Sequence, residues 1–191
     1  ADLYSQYKKY PDYYSMIMTA LVTGIVFARF ARPTARILFS KTAVIAPYQD
    51  KTGFMMRLVN ARNNQLIEVE ARIMFSRLVE ENGRIVRRFD MLELEREKVV
   101  FLPLAWTIVH PIDKNSPLFA MTKEDFEKSN AEFAILISAM DETYAQIVHT
   151  RTSYKPDEIK CDYKFSDIYN KVETGEKISI DVRKLSKIEK I

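Results

Sequence analysis

The feature that most constrains the fold is a series of short strand-like segments, separated by turn residues, that runs from residue 36 towards the end of the chain. Short strands at this spacing, joined by turns, are typical of an antiparallel β-sandwich. The sequence therefore predicts a mainly β domain. The predicted strands are Arg36–Ile45, Phe54–Val59, Leu66–Val79, Arg84–Phe89, Val99–Leu104, Thr107–Ile112, Glu132–Ser138, Ala145–Tyr154 and Lys160–Phe165.

Turn chemistry places the breaks between these strands. Glu80–Gly83 contains Asn-Gly, the strongest short-range hairpin signal. The first strand is expected to end at Pro47 and the turn-like Asp50–Gly53. A last hairpin is predicted at Thr174-Gly175, followed by a strand whose alternate residues are apolar, namely Ile178, Ile180 and Val182.

Two further segments carry local signals of their own. Trp106–Leu118 begins as an apolar strand and runs into a turn, where Asp, Asn and Ser side chains can bond the backbone and Pro117 fixes φ. The one internal helix is predicted at Thr122–Asn130, with Thr122 as its N-cap and Asp125 as the acid of a capping box.

The most apolar stretch, Met16–Phe27, contains no charged residue. Extended to Tyr13–Ala28 it forms about 24 Å of helix, whereas a membrane core about 30 Å thick needs about 20 residues. Three interpretations stay open, namely the cytoplasmic end of a transmembrane helix, a tilted span, or a buried helix of a soluble protein. Arg32-Pro33 marks the boundary, because the residue before proline is pushed towards extended backbone.

The excess positive charge is confined to the same part of the chain. Residues 1–36 contain five basic and two acidic residues, which accounts for the whole net charge of +3. Arg29, Arg32 and Arg36 follow the apolar run, as expected on the cytoplasmic side of a membrane. This placement suits an anionic membrane surface better than nucleic acid, which needs a broader basic surface.

Motifs for catalysis, metals and nucleotides are missing from the sequence. His110, His149 and Cys161 are its histidines and its cysteine, and they lack close ligand spacing, so no metal site is expected. Cys161 is expected to be buried and inert. With four glycines and no phosphate-binding loop, we expect neither a nucleotide site nor an enzyme. Both acid pairs, Glu80-Glu81 and Asp141-Glu142, are expected to be solvated.

Four blocks of the sequence, in order, resemble the inward-rectifier potassium channel family, its prokaryotic branch especially. They are A-R-F-A-R-P-T-A-R-I-L-F-S at 28–40, M-M-R-L-V-N-A-R-N-N-Q-L-I-E-V-E-A-R at 55–72, W-T-I-V-H-P-I-D-K-N-S-P-L at 106–118 and D-E-T-Y-A-Q-I-V-H-T-R-T-S-Y-K-P-D-E-I at 141–159. The last two are the most specific. The resemblance implies an immunoglobulin-like β-sandwich at residues 37–191, on the cytoplasmic side of the cell membrane, after a short helical membrane-proximal segment.

The resemblance also divides the N-terminal part of the chain. Residues 1–14 resemble the family's interfacial slide helix, 15–31 the end of its transmembrane inner helix, and 32–36 the tether to the cytoplasmic domain. The filter motif T-x-G-Y-G, whose carbonyls replace the hydration shell of potassium, does not occur in the sequence. We therefore expect the sequence to be part of a longer channel polypeptide.

The family's basic residues after the inner helix contact anionic lipid headgroups, and they are matched here by Arg29, Arg32 and Arg36. Ordinary arginines that flank a membrane helix on its cytoplasmic side would give the same pattern, so both interpretations stay open.

The resemblance assigns further roles along the ion path. Glu68 and Glu142 match acids that face the cytoplasmic pore, and Glu70 and Asp141 are further candidates for the same cation or polyamine rings. Glu70 lies two residues from Glu68, so on a regular strand it would share its face. Ala145 and Gln146 fall at the constriction of the apex loop, where the family usually has a glycine-containing pair.

The predicted function is the cytoplasmic gating and rectification domain of a homotetrameric channel. Four copies of each acid would form rings that concentrate potassium, magnesium or polyamines. We expect no cofactor beyond permeant potassium, and no nucleic acid partner. The alternative is a membrane-anchored β-sandwich that binds a protein and conducts no ions. A pore-lining domain needs Glu68 and Glu142 on one lumen-facing surface, whereas an interaction module does not.

Overall fold

The computed structural model of the chain describes residues 8, 10–30, 36–62, 64–170 and 178–191. The chain forms two compact units, Ala1–Thr34 and Ala35–Ile191. Several sequence predictions fall at least partly outside the described residues. They are the slide-helix-like segment at 1–14, the last residue of the inner-helix segment at 15–31, the tether at 32–36 with its Arg32-Pro33 boundary and the lipid contact at Arg32, and the hairpin at Thr174-Gly175.

In the first unit, the described residues form helix α1 (Pro11–Phe30). Pro11 suits the first turn, where its missing N–H would have no helical partner anyway. The hydroxyls of Ser15 and Thr19 donate to carbonyls four residues back at 2.9 and 2.8 Å, so these polar groups are satisfied within the helix. Within the ranges that the structure describes, no helix combines the length and the apolar character needed to cross a membrane.

The second unit is built mainly from strands, as predicted. The strands are β1 (Ile37–Phe39), β2 (Ala43–Tyr48), β3 (Lys51–Asn60), β4 (Leu66–Glu81), β5 (Arg84–Leu92), β6 (Lys98–Phe101), β7 (Ala105–Ile112), β8 (Glu132–Asp141), β9 (Gln146–Tyr154), β10 (Ile159–Cys161), β11 (Tyr163–Phe165) and β12 (Ile188–Lys190). Helix α2 (Lys123–Lys128) and two 3₁₀ turns (Pro156–Glu158 and Val182–Lys184) complete the fold.

Two sheets of five strands each form the sandwich. In the first sheet, β3 pairs with β1, β2 and β7, and β10 joins β2 in parallel. In the second sheet the order is β5-β4-β8-β9, and β6 also pairs with β4. Strands β11 and β12 form a separate two-stranded sheet. The prediction of a mainly antiparallel β-sandwich is confirmed.

The core lies between the two sheets and is centred on aromatic rings. Phe54 of β3 stacks on Phe133 of β8 with ring centroids 4.4 Å apart, and Phe75 of β4 stacks on the same ring at 4.7 Å. Phe126 of α2 closes this cluster edge-on. Inward residues alternate along β8, so the face of the second sheet directed away from this core, which we call the outward face, carries the other half of its side chains.

The locally encoded elements form where they were predicted. Asn82 and Gly83 join β4 to β5, and both have positive φ (+53° and +74°), as a two-residue hairpin turn requires. Thr122 caps α2, with its backbone N–H donating to the carboxylate of Asp125 at 2.8 Å and its Oγ1 accepting from the Asp125 N–H at 3.3 Å. The hydrogen bonds that the backbone N–H and the hydroxyl of Thr122 donate to this carboxylate hold the pKa of the Asp125 carboxyl below its usual value.

Several predicted strand boundaries are wrong, and so is the turn predicted at Asp50–Gly53, because Lys51, Thr52 and Gly53 are the first residues of β3. Arg36–Ile45 is interrupted, so it contributes to two strands, β1 and β2. Pro47 lies inside β2, which is tolerated because β10 pairs only with the first half of that strand. Asp162 adopts a left-handed φ of +62° and separates β10 from β11. Instead of a strand, Ile180 forms an isolated bridge and Val182 begins a 3₁₀ turn.

Candidate functional site

The predicted apex loop is the turn between β8 and β9. Residues 142–145 form the turn, and Asp141 pairs with Gln146 at its base. Ala145 and Gln146 are both exposed. Ala145 has a φ of +49°, a left-handed conformation that costs an L-residue free energy and glycine very little. This backbone would suit the glycine that the family resemblance leads one to expect near this position.

Glu142 is the first residue of the turn, and its side chain is exposed. Its backbone N–H donates to the carbonyl of Gln65 at 3.2 Å, which ties the turn to the segment just before β4. The prediction that Glu142 is solvated is confirmed. The backbone of Glu142 is therefore fixed at this end of the sheet, while its carboxylate is exposed to solvent.

Asp141, by contrast, is fully buried, so the prediction that it is solvated is wrong. Its Oδ2 accepts from the side-chain amide of Asn64 at 2.7 Å, and its Oδ1 accepts from the backbone N–H of Thr143 at 3.0 Å. These bonds compensate for burial of the carboxylate. Asp141 fixes the base of the turn, and its carboxylate is shielded from solvent in the single chain.

Glu68 occupies a β-bulge in β4. The pairing with β8 shifts by one residue between Ile67 and Glu70, and Glu68 itself has a φ of +50°. A bulge places two residues opposite one and re-aims the side chain. The Glu68 side chain is exposed, whereas Val69 beside it is buried.

The two exposed acids lie at the same end of the β4–β8 ladder. Leu66 pairs with Asp141, so Glu68 is two residues from this pair along β4 and Glu142 is one residue beyond it on the turn. Among the described residues, neither Glu68 nor Glu142 forms a salt bridge. Strand pairing thus places two predicted site residues at the same end of the sheet although they are distant in sequence.

Glu70 differs from both. Because the bulge interrupts the alternation of β4, simple strand periodicity does not establish which face Glu70 shares with Glu68. The Glu70 carboxylate accepts from Arg72 Nε at 2.9 Å and lies 3.8 Å from Lys98 Nζ. The hydrogen bond from Arg72, together with the positive charges of Arg72 and Lys98, lowers the pKa of the Glu70 carboxyl. Sequence reasoning missed both partners.

The predicted lipid-contact arginines can be placed only in part. Arg29 lies in the last turn of α1, and Arg36 directly precedes β1; both side chains are exposed. Arg32 lies outside the described residues. Exposed guanidinium groups at both described positions are compatible with contact to an anionic surface.

The strand-and-turn segment Trp106–Leu118 contains a buried histidine that sequence reasoning did not single out. His110 Nδ1 lies 2.6 Å from the carbonyl oxygen of Glu93, and its Nε2 lies 2.7 Å from Ser116 Oγ, which also accepts from the Leu118 N–H. Burial lowers the pKa of His110. Its position on β7, two residues from buried Ile108, is the sequence signal for an inward side chain.

The remaining titratable groups suggest no metal or nucleophile chemistry. Within the described ranges, no group of three or more His, Cys, Asp and Glu side chains is placed to hold a metal ion. Cys161 is free and half-buried, where full burial was predicted. Burial raises the pKa of its thiol, which favours the unreactive protonated form.

Known proteins share this sequence over most of its length. The family model for the inward rectifier potassium channel C-terminal domain matches residues 37–191. Inward rectifier potassium channel Kirbac3.1 from Paramagnetospirillum magnetotacticum is 36% identical over 174 residues, which cover 91% of this chain and 59% of that protein. ATP-sensitive inward rectifier potassium channel 12 is 31% identical in both Mus musculus and Bos taurus, over 80% of this chain and 38% of each relative.

A solved structure of Spo0M, the sporulation control protein from Bacillus subtilis, aligns with a TM-score of 0.30 at 7% identity, over 66% of this chain and 49% of that one, and supports no argument. The chain spans 59% or less of the curated relatives described above. The matched region is a domain of an ion channel and not of an enzyme. The sandwich of residues 37–191 is the C-terminal domain of an inward-rectifier potassium channel of prokaryotic type, and the chain belongs to that family.

Proposed function

We propose that the chain supplies the cytoplasmic gating and rectification domain of a tetrameric potassium channel in the cell membrane. The observation that carries the proposal is the pair of exposed acids, Glu68 and Glu142, at one end of the β4–β8 ladder beside the apex loop. The bulge at Glu68 and the buried Asp141 shape the backbone from which these two side chains project.

Around a fourfold axis, each acid would be present four times. Converging carboxylates in a narrow aqueous path raise the local concentration of cations. Potassium would pass, while multivalent magnesium or polyamines would be held and would block outward flow. Ala145 and Gln146, exposed on the apex loop, would narrow the same path. Asp141 contributes through the shape of the turn and not as a ring member, because it is buried.

Assembly into a tetramer is supported by the apolar side chains that the single chain leaves exposed. The outward face and edges of the second sheet expose Met91, Phe101 and Ile147 to about 60%. Closed cyclic symmetry is the usual way for identical subunits to cover such surfaces. Light scattering of detergent-extracted protein should give four copies. A monomer at micromolar concentration would contradict the channel function and favour the protein-interaction module.

The acid rings can be tested in a channel that carries this domain together with a pore. Glu68→Gln and Glu142→Gln should each weaken block by internal spermine or magnesium by about tenfold, because the focused field is lost. The matched control is Glu80→Gln, an exposed acid at the far end of β4, which should leave block unchanged. Wild-type block in both ring variants would refute the assignment.

A further inference from the structure

One acid on the outward face of the second sheet, Glu70, forms ion pairs with basic side chains of the same chain. Glu70 pairs with Ser138 on one side and with Lys98 on the other. Its Oε1 accepts a hydrogen bond from Arg72 Nε at 2.9 Å and lies 2.8 Å from Arg72 Nη2. Its Oε2 lies 3.8 Å from Lys98 Nζ. Each carboxylate oxygen thus faces a positive charge.

The neighbouring acids Glu68 and Glu142 lack such partners among the described residues, although all three carboxylates belong to the same half of the sheet. A mobile cation that approaches Glu70 must compete with two side chains that are covalently part of the domain. Within the ranges that the structure describes, a cation that approaches Glu68 or Glu142 meets no such ion pair.

We propose that Arg72 and Lys98 mask Glu70, and that Arg72 thereby limits how strongly the domain holds a multivalent amine. The proposal rests on the proposed function of the acid rings. Arg72 is 61% exposed and Lys98 is 70% exposed, so the ion pairs are accessible to solvent and weak enough to be exchanged. Removing Arg72 would leave Glu70 with a single, longer ion pair and add a third acid to the rings.

The chain offers a matched control. Arg72 pairs with Leu136, and Leu136 pairs with Arg151, so the two arginines lie in one row across the sheet. Arg151 is also exposed and forms no salt bridge within the described ranges. Replacing either arginine by glutamine changes the net charge by the same amount, but only Arg72→Gln releases Glu70.

The experiment measures block by internal spermine in a channel carrying this domain and a pore. Arg72→Gln and Arg151→Gln are made both with Glu70 present and in a Glu70→Gln background. Masking predicts that Arg72→Gln strengthens block about two- to fivefold more than Arg151→Gln when Glu70 is present, which is the range of an exposed ion pair converted to affinity. In the Glu70→Gln background the two arginine variants should have equal effects.

Equal effects of the two arginine variants in both backgrounds would overturn the masking of Glu70 and leave only an influence of net charge. Glu68→Gln and Glu142→Gln, measured in parallel, separate this failure from that of the proposed function. If they weaken block while the Arg72 effect is independent of Glu70, only the masking is wrong. If all variants block like wild type, the acid rings themselves are wrong.

Discussion

The buried carboxylate of Asp141 should stabilise the domain through the base of the apex loop. Asp141 accepts hydrogen bonds from two donors, Asn64 Nδ2 and the Thr143 N–H. In Asp141→Asn, the side-chain amide has a single oxygen, which can accept from only one of these donors. Its NH₂ group then faces the other donor, and the two cannot form a hydrogen bond. A hydrogen bond to a charged group contributes about 1.5–3 kcal/mol, and relief from burying the charge offsets part of this loss. We expect a loss of about 2 kcal/mol in the free energy of unfolding.

The measurement is urea unfolding of the full chain, followed by fluorescence of Trp106, the single tryptophan, which is buried. In a chain of this size, a loss of about 2 kcal/mol corresponds to a fall of about 4–8 °C in Tm. Glu142→Gln is the control, since it neutralises the exposed neighbouring acid and should change stability by less than about 0.5 kcal/mol.

A charge swap sharpens this test. In Asp141→Asn with Asn64→Asp, the amide of residue 141 can donate to the new carboxylate while its oxygen still accepts from the Thr143 N–H. The double variant should therefore be more stable than Asp141→Asn alone. If Asp141→Asn unfolds at the wild-type urea concentration, or if the swap restores nothing, the anchoring role is refuted.

Three further predictions concern the turn, the buried histidine and the arginines. Ala145→Gly should raise the free energy of unfolding by about 1 kcal/mol in the same urea assay, because it relieves a left-handed alanine; an unchanged or lower midpoint would contradict this. The pKa of His110 lies below its ordinary value of 6.5, so the unfolded chain takes up the proton first. Stability should be complete above that pH and fall as the pH drops below it, and His110→Gln should flatten this dependence between pH 7 and 5. Binding of the protein to anionic liposomes should weaken as salt is added and when Arg29, Arg32 and Arg36 are replaced by glutamine. Unchanged binding would mean that these arginines only flank a membrane helix and do not bind lipid.

The family resemblance, the β-sandwich and the best-defined local elements were accessible from the sequence. The Asn82-Gly83 hairpin and the capping box of Thr122 and Asp125 depend on residues within a few positions of one another, so their chemistry can be recognised without knowing the rest of the fold. The exposure of Glu142 also followed from its place at the start of a turn.

The site itself depended on what lies opposite each residue. The bulge at Glu68 is a shift in the pairing register between β4 and β8, and the sequence of β4 alone does not predict it. Asp141 and Glu142 are adjacent acids, yet one is buried against Asn64 and the other is solvated, because only the packed structure brings residue 64 to the end of β8. Glu70 differs from Glu68 for the same reason, because its carboxylate forms an ion pair with Lys98, which lies on another strand.

The sequence by itself determined the class of fold, the turns and the family, since periodicity, turn chemistry and motif order are properties of short stretches of chain. Only the tertiary structure decided which of the described acids are exposed, which is buried and which is ion-paired. The accessibility of a carboxylate depends on the partners that non-local strand pairing places beside it, and these partners are far away along the chain.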